Sequence, residues 1–150
     1  MIHVTTRGAR PEDLELAFQI KQAAFAGYVA QVWGWNEDQQ RALHARRFAA
    51  QDVVIIQLNG DDVGLMTTTR SANAIELHQL FVLPAYQSRG VGAACMESLT
   101  GKARAAGLPI RLQVLKVNTR ATGFYLRLGF AATGETVSHV QMEKRPSLVL

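Results

Sequence analysis

The sequence predicts a single domain, residues 1–150, of the mixed α/β (α+β) class, with helices packed around one sheet. Three observations carry that prediction. The hydrophobic period changes from helical to strand-like near Asp52. From there strand and helix signals are interleaved, so that the whole chain reads β, α, α, β, β, β, α, β, α, β. The chain has 150 residues, 48% hydrophobic and 19% charged, which is enough to bury one good core.

Each element has its own signal. "IHVTT" at 2–6 alternates like a short strand. A helical period begins at Pro11, which suits a first helical turn, and Glu12 and Asp13 complement the positive end of the helix dipole. Leu14, Phe18, Lys21/Gln22 and Phe25 follow one stripe, widened by Leu16, Ile20 and Ala24. After "WGW" a second helix starts near Asn36, with Gln39 three residues on as a capping-box partner. "VVIIQL" (53–58) meets the turn signal "NGDD", and "VGLMTTTR" returns as its hairpin partner. "AIELHQLFV" (74–82) is the third strand of this meander, after a turn at Ser71 to Asn73. A helix from Val91 to Ala106 ends at Gly107 and Pro109. "IRLQVL" (110–115) is a strand, "TRATGFYLRL" (119–128) a short helix and "VSHVQMEK" (137–144) a closing strand.

Composition narrows the function classes. No run approaches the roughly 18 apolar residues of a membrane span, and "MIHVTTRGAR" lacks the sections of a signal peptide, so a cytoplasmic protein is expected. Cys95 is the single cysteine; it allows no internal disulfide and is expected as a small core residue on a stripe with Val91 and Leu99. His3, His44, His78 and His139 share no ligand spacing, so no metal is expected. The net charge of +4 is spread along the chain, with "HARRF" (44–48) its densest cluster. Such an excess is expected on a solvated surface or as a steering field for an anionic cofactor, and nucleic acid is not expected as a partner.

The decisive stretch is "LHQLFVLPAYQSRGVGAACMESLT", Leu77 to Thr100, where a strand breaks at Pro84 and a helix opens after "QSRGVG". With Gly90 and Gly92 lacking side chains, backbone N–H groups at the helix start can approach a phosphate whose charge the dipole favours. Gln87 and Arg89 can add donors. Two glycines could equally serve a tight turn. A Rossmann site is excluded because Cys95 stands where the third glycine belongs and the run follows a meander; a P-loop is excluded because no Gly-Lys-Ser/Thr follows.

"QSRGVG" resembles the Q/R-x-x-G-x-G/A signature of the GNAT superfamily of acyl-CoA-dependent N-acetyltransferases, and "LQVLKVNTRATGFYLRLGF" (112–130) resembles the same family's strand–Asn–helix–Tyr–LGF segment. The resemblance covers nearly the whole chain. It implies a mixed, mostly antiparallel sheet of six to seven strands flanked by about four helices. It also implies acetyl-CoA as cosubstrate, bound through the amides of Gln87, Ser88, Arg89, Gly90, Val91 and Gly92, through the backbone near Phe81 and Val82, and near Asn118, which could instead cap a helix. A splay between the strands at 77–82 and 110–115 would open the slot for the cofactor's arm.

The same resemblance makes Tyr125 the acid that protonates the departing thiolate, as against a ring merely packed beside Phe124 and Phe130. The N–H of Val82 would stabilise the oxyanion. Glu76, and His78 on the same face of a regular strand, are candidate bases, beside water. Tyr28, Trp33 and Trp35 are expected to frame the acceptor, Glu135 and His139 could reach it, and core-capping suits Trp33 better than Trp35. The function implied is acetyl transfer from acetyl-CoA directly to a primary amine of a small molecule or a protein, in a ternary complex; the alternative is a catalytically silent acyl-CoA-binding module. Family members often form homodimers, and the apolar end "SLVL" after Pro146 is a candidate contact.

Overall fold

The computed structural model describes residues 2–147. Its sheet grows from the hairpin marked by "NGDD". Asn59 and Gly60 take positive φ, 50° and 89°, the pair of left-handed residues that lets a two-residue turn match the strand twist. β2 (Asp52–Leu58) therefore returns as β3 (Asp61–Arg70), with Leu58 opposite Asp61. β1 (Val4–Gly8), two residues later than its alternation suggests, adds antiparallel to β2, and β4 (Ile75–Val82) adds antiparallel to β3.

On one face of these strands lie α1 (Leu14–Val32), entered through a 3₁₀ turn at Pro11–Asp13, and α2 (Glu37–Ala50). Asn36 caps α2, its side-chain oxygen accepting the Gln39 N–H at 2.9 Å. Ala17 and Ile20 of α1 pack on Ile55 and Leu65, with Phe81 alongside, while Leu14 at the head of the expected stripe is exposed. Buried His44 ties α2 to α1 through Leu14 O, 3.0 Å from its Nε2, and meets Phe18 edge-on.

On the other face lies α3 (Val91–Ala106), closed by Gly107 at φ 68°. Its Met96, Leu99 and Ala103 pack on Ile75 and Leu77 and on Ile110, Leu112 and Val114 of β5 (Ile110–Leu115). Cys95, expected in the core, is buried with Val91 against Ile56 and Val63, and burial pushes its thiol up to about 11. α4 (Thr119–Arg127) follows β5. The sheet ends in β6 (Ala131–Glu135) and β7 (His139–Lys144), giving seven strands in the order β1-β2-β3-β4-β5-β7-β6.

β6 corrects the sequence reading, which has one closing strand at 137–144. "AATGE" has no apolar alternation because all five residues are exposed; it is a strand only because β7 offers it an open edge. Among the described residues, no helix is long and apolar enough to cross a membrane. Of the apolar end "SLVL", the residues from Leu148 onward lie outside those described.

Two irregularities of β4 place the site. β4 and β5 are parallel but pair only at Ile75 with Ile110 and Glu76 with Arg111, after which they part. Within β4 the register with β3 jumps from Thr67–Gln79 to Thr68–Leu77, which leaves His78 as the extra residue of a bulge. The bulge puts Leu77 and Leu80, three residues apart, into the same α3-side core, and turns Phe81 toward α1.

Candidate active site

The gap between β4 and β5 joins three cavities. A cleft of about 440 Å³ on the α3–α4 side is lined by Phe81, Val82, Gly90, Gly92, Asn118 and Tyr125, among others. A slot of about 120 Å³ runs between the parted strands, with His78, Gln79, Phe81, Asn118 and Tyr125 in its walls. Beyond it a cavity of about 450 Å³ on the α2 side is bounded by Arg47, Gln51, Glu76, His78 and Gln113. Phe81 and Tyr125 line both cleft and slot, while His78 and Arg47 line both slot and outer cavity. A ligand can therefore approach the splay from each face of the sheet.

The cleft's floor is the corner before α3. Ser88 and Gly90 both take positive φ, 62° and 82°, and Gly90 caps α3 without any side-chain bond to the first-turn amides. Successive N–H groups are left turned toward one region with the helix dipole behind them, an anion nest. Gly90 is needed for its φ. At Gly92 a Cβ would stand 3.4 Å from the Phe124 ring, ordinary contact, so what its hydrogen leaves open is space in the cleft.

The structure assigns the loop's side chains differently from the sequence reading. Gln87 is a brace: its Nε2 donates to Val82 O at 2.8 Å, and its Oε1 accepts from Arg120 at 2.7 Å. Arg120 also donates to Ser88 Oγ at 2.7 Å. Arg89 is exposed, with its guanidinium 5.5 Å from the Tyr86 ring centre, and it does not line the cleft. Arg120 lines it instead. Asn118 lines the cleft while its side chain caps α4, accepting the Ala121 N–H at 3.1 Å.

Tyr125 is buried between Phe124 and Phe130, both met edge-on, which is the ring packing the sequence offers as the alternative to an acid role. Its hydroxyl makes no hydrogen bond to the described residues, and burial holds its proton far more tightly than in free tyrosine. His78 is exposed on the strand, its Nε2 2.8 Å from Thr69 Oγ1, and partial desolvation lowers its proton affinity, which favours the neutral imidazole near pH 7. Glu76 is half-buried and lines the outer cavity with His78, so the bulge has not separated the two candidate bases.

The expected acceptor aromatics are not brought together. Tyr28 lines the cleft on the α3–α4 side. Trp33 is 60% exposed, its ring 5.9 Å from that of His139. It is Trp35 that packs inward, 6.2 Å from Phe18. The reason is the glycine between them: Gly34 at φ 77° turns the chain so that the two indoles leave in different directions. Glu135 on β6 is exposed and pairs with Lys116 at 3.5 Å.

Residues 15–130 match the acetyltransferase (GNAT) family. The chain belongs to that family. Solved structures bear the same GNAT fold. A PaiA N-acetyltransferase from Thermoplasma acidophilum, in complex with coenzyme A, superposes with a TM-score of 0.79 at 18% identity over 95% of this chain and 99% of that one. The ribosomal-protein-S18-alanine N-acetyltransferase of Escherichia coli gives 0.73 at 22% identity, over 98% and 96%. An acetyltransferase from Thermus thermophilus gives 0.75 at 17%, over 95% and 96%. No curated protein sequence matches the chain.

Two residues that line the site, Arg120 and Arg47, and the buried Lys21 near Arg47 escape the sequence reading. Arg120 had a signal, since a cation in the first turn of a helix opposes the dipole unless it has a partner elsewhere. Lys21 had one too, standing on the apolar stripe of α1. Arg47 sits in "HARRF" and looks like surface charge until α2 is docked.

Proposed function

We propose that the protein transfers the acetyl group of acetyl-CoA directly to the primary amine of a small molecule or a peptide, within a ternary complex and with no acyl-enzyme. The observation that supports this reading is the slot: a protonated phenol, Tyr125, and a neutral imidazole, His78, share a passage between an anion nest and an outer cavity.

The parts then have separate tasks. The amides from Ser88 to Gly92 hold the cofactor's pyrophosphate, and the free edge of β4 near Phe81 and Val82 takes its arm. His78, or Glu76 through water, receives the amine's proton. The Val82 N–H steadies the oxyanion, and Tyr125 protonates the thiolate as it leaves. Cys95 is too deeply buried, with too high a proton affinity, to be an acyl carrier. An acetyl-CoA cosubstrate agrees with the neighbour crystallised with coenzyme A, and amine acceptors agree with the named activities of the neighbours. A cytoplasmic enzyme without a metal is part of the same reading.

Calorimetric titration with acetyl-CoA tests it first. Binding is expected in the wild type and is expected to be lost in Gly92→Asp, whose carboxylate would enter the nest. Tyr125→Phe separates an enzyme from a silent binding module: thiol release should collapse while acetyl-CoA affinity stays. Unchanged release in that variant would rule out the phenol as the acid.

A further inference from the structure

Polar groups between α1, α2 and the sheet have an imbalance that the acetyl-transfer steps do not use. Lys21 of α1 is 1% exposed, and its Nζ has no hydrogen-bond partner among the described residues. Gln79, in the wall of the slot, is 5% exposed, and its Nε2 likewise has none. Arg47 lines both the slot and the outer cavity and, half-buried, makes no ion pair or side-chain hydrogen bond among the described residues. Buried donors are almost always paired, because leaving one bare costs its full desolvation. Here an amide and a guanidinium lie bare in the walls of one passage, with a bare, buried ammonium on α1 close enough to Arg47 to feel its charge.

The surroundings do not neutralise them. Arg111 and Glu143 in the outer cavity hold each other at 2.9 Å. Glu76 is the remaining carboxylate in that wall and lies beside His78, where an incoming ammonium would sit. Gln51 Oε1 is the buried unpartnered acceptor there among the described residues, and its amide can turn to present Nε2 instead. Thr67 Oγ1, buried and unpartnered opposite Gln79, can donate or accept. The amides and the hydroxyl can present either a donor or an acceptor, so the surplus is in positive charge.

We infer that the acceptor is an amine that also carries an anionic group, a carboxylate in the first instance, bound by the Arg47 guanidinium and the Gln79 amide with Lys21 supplying positive potential from behind. This rests on the acetyltransferase reading and narrows it: the outer cavity receives a molecule with its amine toward His78 and Glu76 and its anion toward α2. An arginine fork suits a carboxylate or a phosphate, and a buried ammonium beside it strengthens the attraction because little water screens it.

The test uses amino acids, their aminophosphonic analogues and their primary carboxamides, titrated into the full chain saturated with coenzyme A. Acetyl-CoA binding is measured separately, so that loss of the cofactor reading shows independently of the anion site. At least one acid should bind the wild type about tenfold or more tightly than its carboxamide, the discrimination expected of a charge-assisted fork. In Arg47→Gln that preference should vanish with acetyl-CoA affinity unchanged, and in Lys21→Met, which tolerates the buried site, it should weaken. A stronger phosphonate than carboxylate would assign the anion to a phosphorylated amine, the reverse to an amino acid. Equal binding of acid and carboxamide, no binding by any member, or a preference that survives both variants would overturn the inference.

Discussion

Desolvation acts on Tyr125 and His78 in opposite directions, which suits them to the opposite proton tasks proposed for them. Desolvation disfavours the charged form, so it keeps the phenol protonated and the imidazole neutral. Tyr125→Phe should lower kcat about 100-fold, the usual scale of a positioned acid, read by thiol release at saturating acetyl-CoA. With His78 as base, kcat/KM should be flat above pH 7 and fall only on the acid side of the ordinary histidine range, because desolvation lowers the imidazole's proton affinity; a limb that persists in His78→Gln would transfer the role to Glu76 or water. Lys21 has its own titration. Burial, reinforced by Arg47, lowers it from 10.5 to about 8, so between those values the unfolded chain binds a proton that the folded one does not. Stability therefore rises with pH across that window. Lys21→Met should remove the rise and stabilise the fold by ~1–3 kcal/mol at pH 7, measured by urea unfolding at pH 7 and pH 9.5.

At the scale of elements, the corner before α3 and the first turn of α4 form one unit. Arg120 reaches from α4 to Gln87 and Ser88, and Gln87 in turn holds Val82 O on β4. Arg120→Ala should raise the Kd for acetyl-CoA by roughly 3–10-fold, the loss of two charge-assisted bonds partly screened by solvent, with no comparable change in melting temperature. Arg89→Ala should leave the Kd within about twofold, because its guanidinium lies over Tyr86 and exposed contacts of this kind count for little. Calorimetry on the two variants decides between them. "QSRGVG" is legible as an anion cradle because glycine positions and a helix start are local properties. Which side chains face the cradle is not legible, since Arg89 and Arg120 differ only in where tertiary packing carries them.

For the molecule as a whole, the site exists because the sheet fails to close. β4 and β5 share two pairs of residues and then diverge, and the cleft, slot and outer cavity occupy the divergence. A ligand filling that gap binds only the folded chain, so acetyl-CoA at about 100 times its Kd should add ~2.7 kcal/mol to stability. For a chain of this size that is a rise of roughly 5–10 °C in melting temperature, absent in Gly92→Asp and readable by scanning calorimetry.

The meander, the order of elements, the capped helices and the glycine corner were set by the sequence alone, because turn chemistry, hydrophobic period and caps act within a few residues of themselves. Sequence also marked Tyr125, Glu76, His78 and Asn118, and the resemblance to the GNAT superfamily supplied their roles. Tertiary structure alone decided that β6 exists, since an exposed edge strand carries no hydrophobic signature. It decided that Trp35 packs while Trp33 is exposed, since Gly34 sends two similar indoles apart. Above all, it decided that Arg47 and Gln79 share the slot with His78 and that buried Lys21 lies within reach of Arg47's charge, because a buried cation on an apolar stripe acquires a meaning only when three elements dock and leave it without an anion.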